Sequence, residues 1–203
     1  MLDSTMRPVK DRLLAPVAHS PIGRLHPMIL SALGLAVTIA AAAAAWQRLS
    51  ALAVALCLVG RLADGLDGVA ARATDRASDV GGLVDFCFDT IGYSAVPLGI
   101  ALGLDDRATW IATAVLLATF YVNGTTLGYL AALREKRALG AAVQGQPTSA
   151  ALPRGLVEGT ETIVFFTVAL AWPGTASVVW GVMAGAVALT VLERLGWAAR
   201  TLR

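Results

Sequence analysis

Charge is what this sequence has least of. Lysine, arginine, aspartate and glutamate together make 15% of its 203 residues, where a soluble domain carries about 25%. That deficit argues against a water-exposed globule built on one core. Strict apolar–polar alternation is missing too, which argues against transmembrane β-strands. Cysteine is limited to Cys57 and Cys87. Neither has metal-ligand spacing and no lipid-facing disulfide is expected, so both read as small apolar packing residues. No signal-peptide core is expected at the start, where the first twenty residues are basic and broken by Pro8 and Pro16. No internal repeat is visible, and a single membrane domain over residues 25–203 is expected.

Hydrophobic residues fill the space, at 57% of the chain. A bilayer crossing needs roughly 20 apolar residues as helix. Six such spans can be drawn, at about Met28–Trp46, Leu49–Arg72, Asp79–Leu104, Ala108–Ala132, Leu156–Trp172 and Ala176–Trp197. Their alanine and leucine content favours helix, so the expected fold is an all-α integral membrane bundle of six transmembrane helices. Pro97 is expected to kink the third span, and the stretch from Arg134 to Arg154 reads as a cytoplasmic loop. With these spans thirteen basic residues fall on one side; Arg48 and Arg107 fall on the other, and Arg61 lies inside the second span. Basic residues stay on the cytoplasmic side, so both termini are expected there, in a bacterial-type inner membrane. Residues 1–24 place Met6, Val9, Leu13, Leu14 and Val17 near one helical face. They read as an amphipathic juxtamembrane helix on the cytoplasmic leaflet, with a disordered basic arm as the alternative.

The junction of spans two and three holds the most specific pattern: Asp64-x2-Asp67-Gly68-x2-Ala71-Arg72-x8-Gly81-x3-Asp85-x3-Asp89. Eight specified positions match by accident on the order of 10⁻⁹ per starting point. An aspartate near mid-membrane costs about 2.5–3.5 kcal/mol, so four of them need something that cancels their charge. The spacings i, i+3 and i, i+4 put each pair on one helical face. With about 1.5 Å per residue, Asp67 and Asp64 lie roughly 7 and 12 Å below the cytoplasmic end of span two. On span three, Asp85 and Asp89 lie roughly 9 and 15 Å below its end. The pairs are therefore level, and together they form a cluster of hard oxygen donors. Such ligation suits Mg²⁺ or Mn²⁺ over zinc, and two ions about 3.5–4 Å apart would hold a pyrophosphate. Gly65, Gly68 and Ala71 on span two, and Gly81 on span three, leave room for a nucleotide to approach the backbone. For each glycine alone, close helix packing is the plainer reading. Arg72 reads as a nucleotide or phosphate contact, or as a positive-inside anchor.

This frame resembles the signature of the CDP-alcohol phosphotransferases, membrane enzymes of phospholipid synthesis, and matches it throughout Asp64–Asp89. The resemblance implies six transmembrane helices, a juxtamembrane N-terminal helix and a homodimer among membrane lipids, with no nucleic-acid partner. It implies displacement of CMP from a CDP-linked donor by an acceptor hydroxyl. Carried over, Asp64, Asp67, Asp85 and Asp89 look like ligands of two Mg²⁺ or Mn²⁺ ions. Asp89 also looks like the catalytic general base, and Gly68, Ala71, Arg72 and Gly81 look like the cytidine-diphosphate contacts. CDP-diacylglycerol is the favoured donor and a small polar alcohol the acceptor; a soluble CDP-headgroup with diacylglycerol as acceptor uses the same frame. One departure concerns the first span, where many members carry Pro-Asn-x-x-Thr and this chain has Pro27-Met28-Ile29-Leu30-Ser31. Methionine cannot make the polar contact of an asparagine.

The acceptor side is less legible. Glu158 and Glu161 share a face at the start of span five, with Arg154 one turn before. They read either as acids favourable at a helix N-terminus or as an acceptor pocket facing the aspartates. Arg194 reads as a holder of an anionic headgroup or a local partner of Glu193, and Asn123 as a helix–helix contact. Rival functions are an intramembrane prenyltransferase, which needs widely separated acid motifs and more spans, and a cation or proton carrier, which should distribute acids along the depth of the bilayer. A member with lapsed activity is disfavoured, because all four aspartates remain.

Overall fold

The computed structural model describes residues 26–73, 78–137 and 155–202. Six α-helices run through them: α1 Pro27–Trp46, α2 Ser50–Ala73, α3 Asp79–Leu104, α4 Arg107–Lys136, α5 Gly159–Ala171 and α6 Ala176–Thr201. A 3₁₀ turn at Pro173–Thr175 leads into α6. No strand occurs among the described residues, in keeping with an all-α fold. Segment 1–24, expected to be amphipathic, lies outside the described residues.

Local chemistry explains the boundaries. The Nδ1 of His26 accepts from Met28 N at 3.3 Å at the start of α1. Ser78 Oγ accepts from Gly81 N at 3.1 Å at the start of α3, and Asp106 Oδ1 accepts from Thr109 N at 2.9 Å at the start of α4. Each side chain satisfies an N–H group that has no partner inside its helix. Glu158 and Glu161 form a reciprocal capping box on α5, so that helix begins at Gly159, three residues later than Leu156. Helix α4 continues four residues past Ala132, and Arg134 is not part of a loop. It is a buried helical residue whose guanidinium lies 5.5 Å from the centroid of the Trp197 ring. Helix α3 runs through Pro97 to Leu104, where Asp105 turns left-handed (φ 53°). Arg48, also left-handed at φ 62°, donates from Nε to Gly103 O at 2.6 Å, which satisfies a carbonyl at the end of α3.

Helix α1 packs along α2 and α3, α4 packs along α6, and α5 sits against α2 and α6. Small residues permit the first of these contacts. A Cβ on Gly60 would stand 2.5 Å from Thr38 Oγ1, and one on Gly103 would stand 2.6 Å from Ala45 O. The core runs through Ile100, Leu116, Phe166, Trp180 and Met183. Edge-on ring contacts join Tyr93 to Phe166 (6.0 Å) and Phe166 to Trp180 (5.5 Å). Cys57 is buried in this core, but Cys87 is exposed, so only one of the two cysteines packs within the bundle. Among the described residues four segments are long and apolar enough to cross a membrane by length and composition: α1, α3, α4 and the stretch Pro173–Thr201. Helix α2 carries Arg61, Asp64, Asp67 and Arg72, and α5 has only 13 residues.

Candidate active site

Helices α2 and α3 bring two of the four acids together through a residue that the acidic frame does not contain. Arg61 lies one turn before Asp64 on α2. Its Nη1 is 2.7 Å from Asp89 Oδ1 and 3.7 Å from Asp64 Oδ2. A single nitrogen thus stands between a carboxylate of α2 and one of α3. The same guanidinium lies 5.5 Å from the centroid of the Tyr93 ring, one turn beyond Asp89 on α3. Asp85 is half-buried on the same helix. Asp67 and Arg72 belong to α2, but their side chains lie outside the description. Among the described residues no three His, Cys, Asp or Glu side chains are grouped closely enough to hold a metal ion. What the described part supplies is a pair of hard oxygen donors about one cation, a donor set that suits Mg²⁺ or Mn²⁺.

The glycines and alanine of the frame sit near these acids with separate surroundings. Gly68 and Ala71 are half-buried on α2. Gly81 lies in the first turn of α3, where its backbone N–H engages the Ser78 cap, and the Ser78 hydroxyl would lie 3.1 Å from a Cβ placed there.

Helices α3 and α4 touch sparingly, and between them a cavity of about 590 Å³ opens beside Asp89. Phe86, Asp89, Thr90, Tyr93 and Ser94 of α3 form one wall, while Phe120, Asn123 and Gly124 of α4 form another. Glu158 and Thr162 close it at the start of α5, and Arg194 reaches it from α6. Arg194 is 6% exposed. Its Nη1 donates to Asn123 Oδ1 at 2.6 Å, and its Nε is buried without a hydrogen-bond partner among the described residues. Glu158 acts on it through space. Arg194 therefore spans from α6 to α4 through Asn123, and Asn123 is the helix–helix contact expected of it.

The position of Glu158 has a clear origin. Thr190 Oγ1 of α6 accepts from Leu156 N at 3.0 Å, which ties the residues before α5 to α6. Gly155 fits under this tie because a Cβ there would run into Thr190 Cγ2 and stand 3.2 Å from Arg194 Nη2. Glu158 Oε1 accepts from Gly155 N at 3.1 Å, and Glu161 Oε2 accepts from Glu158 N at 3.2 Å. The two readings of these acids thus divide: Glu161 completes the cap, while Glu158 serves the cap and also lines the cavity. Arg154 lies outside the described residues. Arg61, Thr190 and the Asn123–Arg194 pair carry much of this geometry. Arg61 had one visible signal, its place one turn before Asp64 inside an apolar span.

Comparison with known proteins adds independent findings. The CDP-alcohol phosphatidyltransferase family matches residues 24–192. The inner membrane protein YnjF of Escherichia coli is 34% identical over 121 residues, covering 60% of this chain and 57% of that protein. The archaetidylinositol phosphate synthase of Pyrococcus horikoshii is 32% identical over 98 residues, covering 48% of this chain and 51% of that protein. The chain thus spans only about half the length of these curated relatives. Among solved structures, Mycobacterium tuberculosis phosphatidylinositol phosphate synthase (PgsA1) with CDP-DAG bound superposes with a TM-score of 0.71 at 23% identity. That match covers 91% of this chain and 92% of the other. The same protein in complex with manganese and citrate gives a TM-score of 0.66 at 22% identity, covering 93% and 86%. At these identities the structural likeness speaks for the fold.

Proposed function

The chain belongs to the CDP-alcohol phosphatidyltransferase family of phospholipid-synthesising membrane transferases, and on that premise we propose that it displaces CMP from CDP-diacylglycerol with the hydroxyl of a small phosphorylated polyol. The observation that carries the acceptor class is Arg194, a buried guanidinium at a cavity that also holds Asp89. Glu158 acts on this cation only through space and its hydrogen-bonded partner is a neutral amide, so an anionic group on the acceptor would engage the donors it has left. Two of the similar proteins are named synthases of inositol phosphate lipids, and the PgsA1 structure holding CDP-DAG supports a lipid-linked donor.

In this reading Asp89 accepts the proton of the acceptor hydroxyl while Arg194 and Asn123 hold its anionic end. The acceptor oxygen forms a bond to the phosphorus carried by the diacylglycerol, and the bond from that phosphorus to the CMP oxygen breaks. Asp64, Asp67, Asp85 and Asp89 would hold divalent metal, which neutralises charge on the pyrophosphate when bound; the manganese complex of PgsA1 supports that choice. Gly68, Ala71, Arg72 and Gly81 would receive the cytidine diphosphate.

In this reading all six helices lie in the membrane with both termini cytoplasmic, and the domain from 25 onward forms a homodimer. The 13 residues of α5 extend about 20 Å against a hydrocarbon core of about 30 Å. Its N-terminus then lies below the headgroups, at the depth assigned to the aspartates. Purified protein with Mg²⁺, CDP-diacylglycerol and a panel of free and phosphorylated polyols tests the reading. CMP release with phosphorylated polyols alone is expected; release with uncharged alcohols alone, or with none of the panel, overturns it.

A further inference from the structure

Arg61 has no place in the transfer just described, yet a buried arginine must have its charge matched. Its side chain is 10% exposed and is directed across α2 to the acids, hydrogen-bonded to Asp89 Oδ1 at 2.7 Å and 3.7 Å from Asp64 Oδ2. The opposing surface is shaped to admit it. A Cβ on Gly92 of α3 would stand 3.6 Å from Arg61 Nη2 and 3.2 Å from Thr38 Cγ2. On the third side lies the Tyr93 ring, whose own position is set by Phe120 and Phe166. Arg61 is thus fixed between α2 and α3, with its charge placed on the deeper of the two acids of α3.

We propose that Arg61 is the positioning residue that sets Asp89 apart from the other aspartates of the frame. By engaging Oδ1 it fixes the carboxylate at the edge of the cavity. Its positive charge also opposes a second cation on the same group, more strongly at Asp89, hydrogen-bonded at 2.7 Å, than at Asp64, whose Oδ2 is 3.7 Å away. Asp89 is thus the acid least committed to metal and the one left to take the acceptor proton. This inference rests on the transferase reading for its catalytic part, while its electrostatic part stands on the ion pairs alone.

The test uses the full-length protein in detergent with Arg61→Met, which keeps length and removes charge, and Arg61→Lys, which keeps charge. Turnover is followed by CMP release, and Mn²⁺ affinity by electron paramagnetic resonance without substrate. For Arg61→Met, kcat is expected to fall about 10²-fold with little change in either KM, while Mn²⁺ binds more tightly, on the order of tenfold. Arg61→Lys should restore the parental Mn²⁺ affinity and part of kcat. In an Asp89→Asn background, Arg61→Met should cause no further loss of turnover. Unchanged kcat and unchanged Mn²⁺ affinity in Arg61→Met overturn the proposal. Parallel loss of Mn²⁺ affinity, both KM values and thermal stability, with no rescue by lysine, also overturns it, because that is the behaviour of a helix buttress. If the parent protein releases no CMP with any acceptor, the transferase reading fails by itself. The Mn²⁺ comparison then still decides whether Arg61 competes for Asp89.

Discussion

Arg61 reaches Asp89 on the α3 wall of the cavity and Arg194 reaches Asn123 on the α4 wall, and their partners set their roles. Arg61 engages an acid, Asp89, whereas Arg194 engages a neutral amide, Asn123. The first guanidinium is thus committed to carboxylates, whereas the second, on which Glu158 acts only through space, keeps a donor for an incoming anion. Replacing Asp89 by Asn should leave nucleotide binding in place and lower the rate of CMP release about 10²–10⁴-fold, the usual contribution of a positioned base. Asp67→Asn should weaken metal and nucleotide binding together, as titration calorimetry would register. Arg194→Gln should raise KM for a phosphorylated acceptor about 10–100-fold, the equivalent of one charge-assisted hydrogen bond. The KM for CDP-diacylglycerol should barely move. Equal effects on both substrates would place Arg194 outside the acceptor site.

At the scale of helices, ends are set by single side chains and crossings by the absence of them. Asp106 shows the first. Hydrogen bonds from the Thr109 hydroxyl and backbone N–H hold its carboxyl below the usual carboxylate range. A depressed folded value means that the cap stabilises fully above the unfolded value and is lost as pH falls through the folded one. Asp106→Ala should therefore melt earlier than the parent at neutral pH, and the difference should begin to shrink below about pH 4 and vanish only below the depressed folded value. Gly99 shows the second, since a Cβ there would run into the backbone carbonyl of Ala42 on α1. Gly99→Leu should cost about 1–3 kcal/mol or more, read as a lower melting temperature in detergent, because backbone cannot move aside as a side chain can. The bounds of α3 were legible because Ser78 and Asp105 are polar residues at the edges of an apolar run. The end of α4 was not. Arg134 looked like the start of a loop, but it is buried and its guanidinium lies over the Trp197 ring, a partner 63 residues away along the chain.

For the molecule as a whole, the membrane supplies the solvent and the acids supply the exception to it. Removing divalent metal with EDTA should abolish CMP release, and Mg²⁺ or Mn²⁺ should restore it where Zn²⁺ does not, as hard oxygen ligation requires. Full turnover after exhaustive chelation would end the metal-dependent reading. The membrane-bound, all-helical character and the acidic frame were readable from residue order, because apolar run length and helical spacing are local properties that need no knowledge of what packs where. The pairing of Arg61 with Asp89 and of Asn123 with Arg194 joins residues 28 and 71 positions apart. It depends on which helices cross and how closely. Those crossings are set by contacts such as Gly60 on Thr38 and Gly99 on Ala42, whose partners lie on another helix. The cavity exists because α3 and α4 diverge, and only the packing of the complete bundle makes them do so.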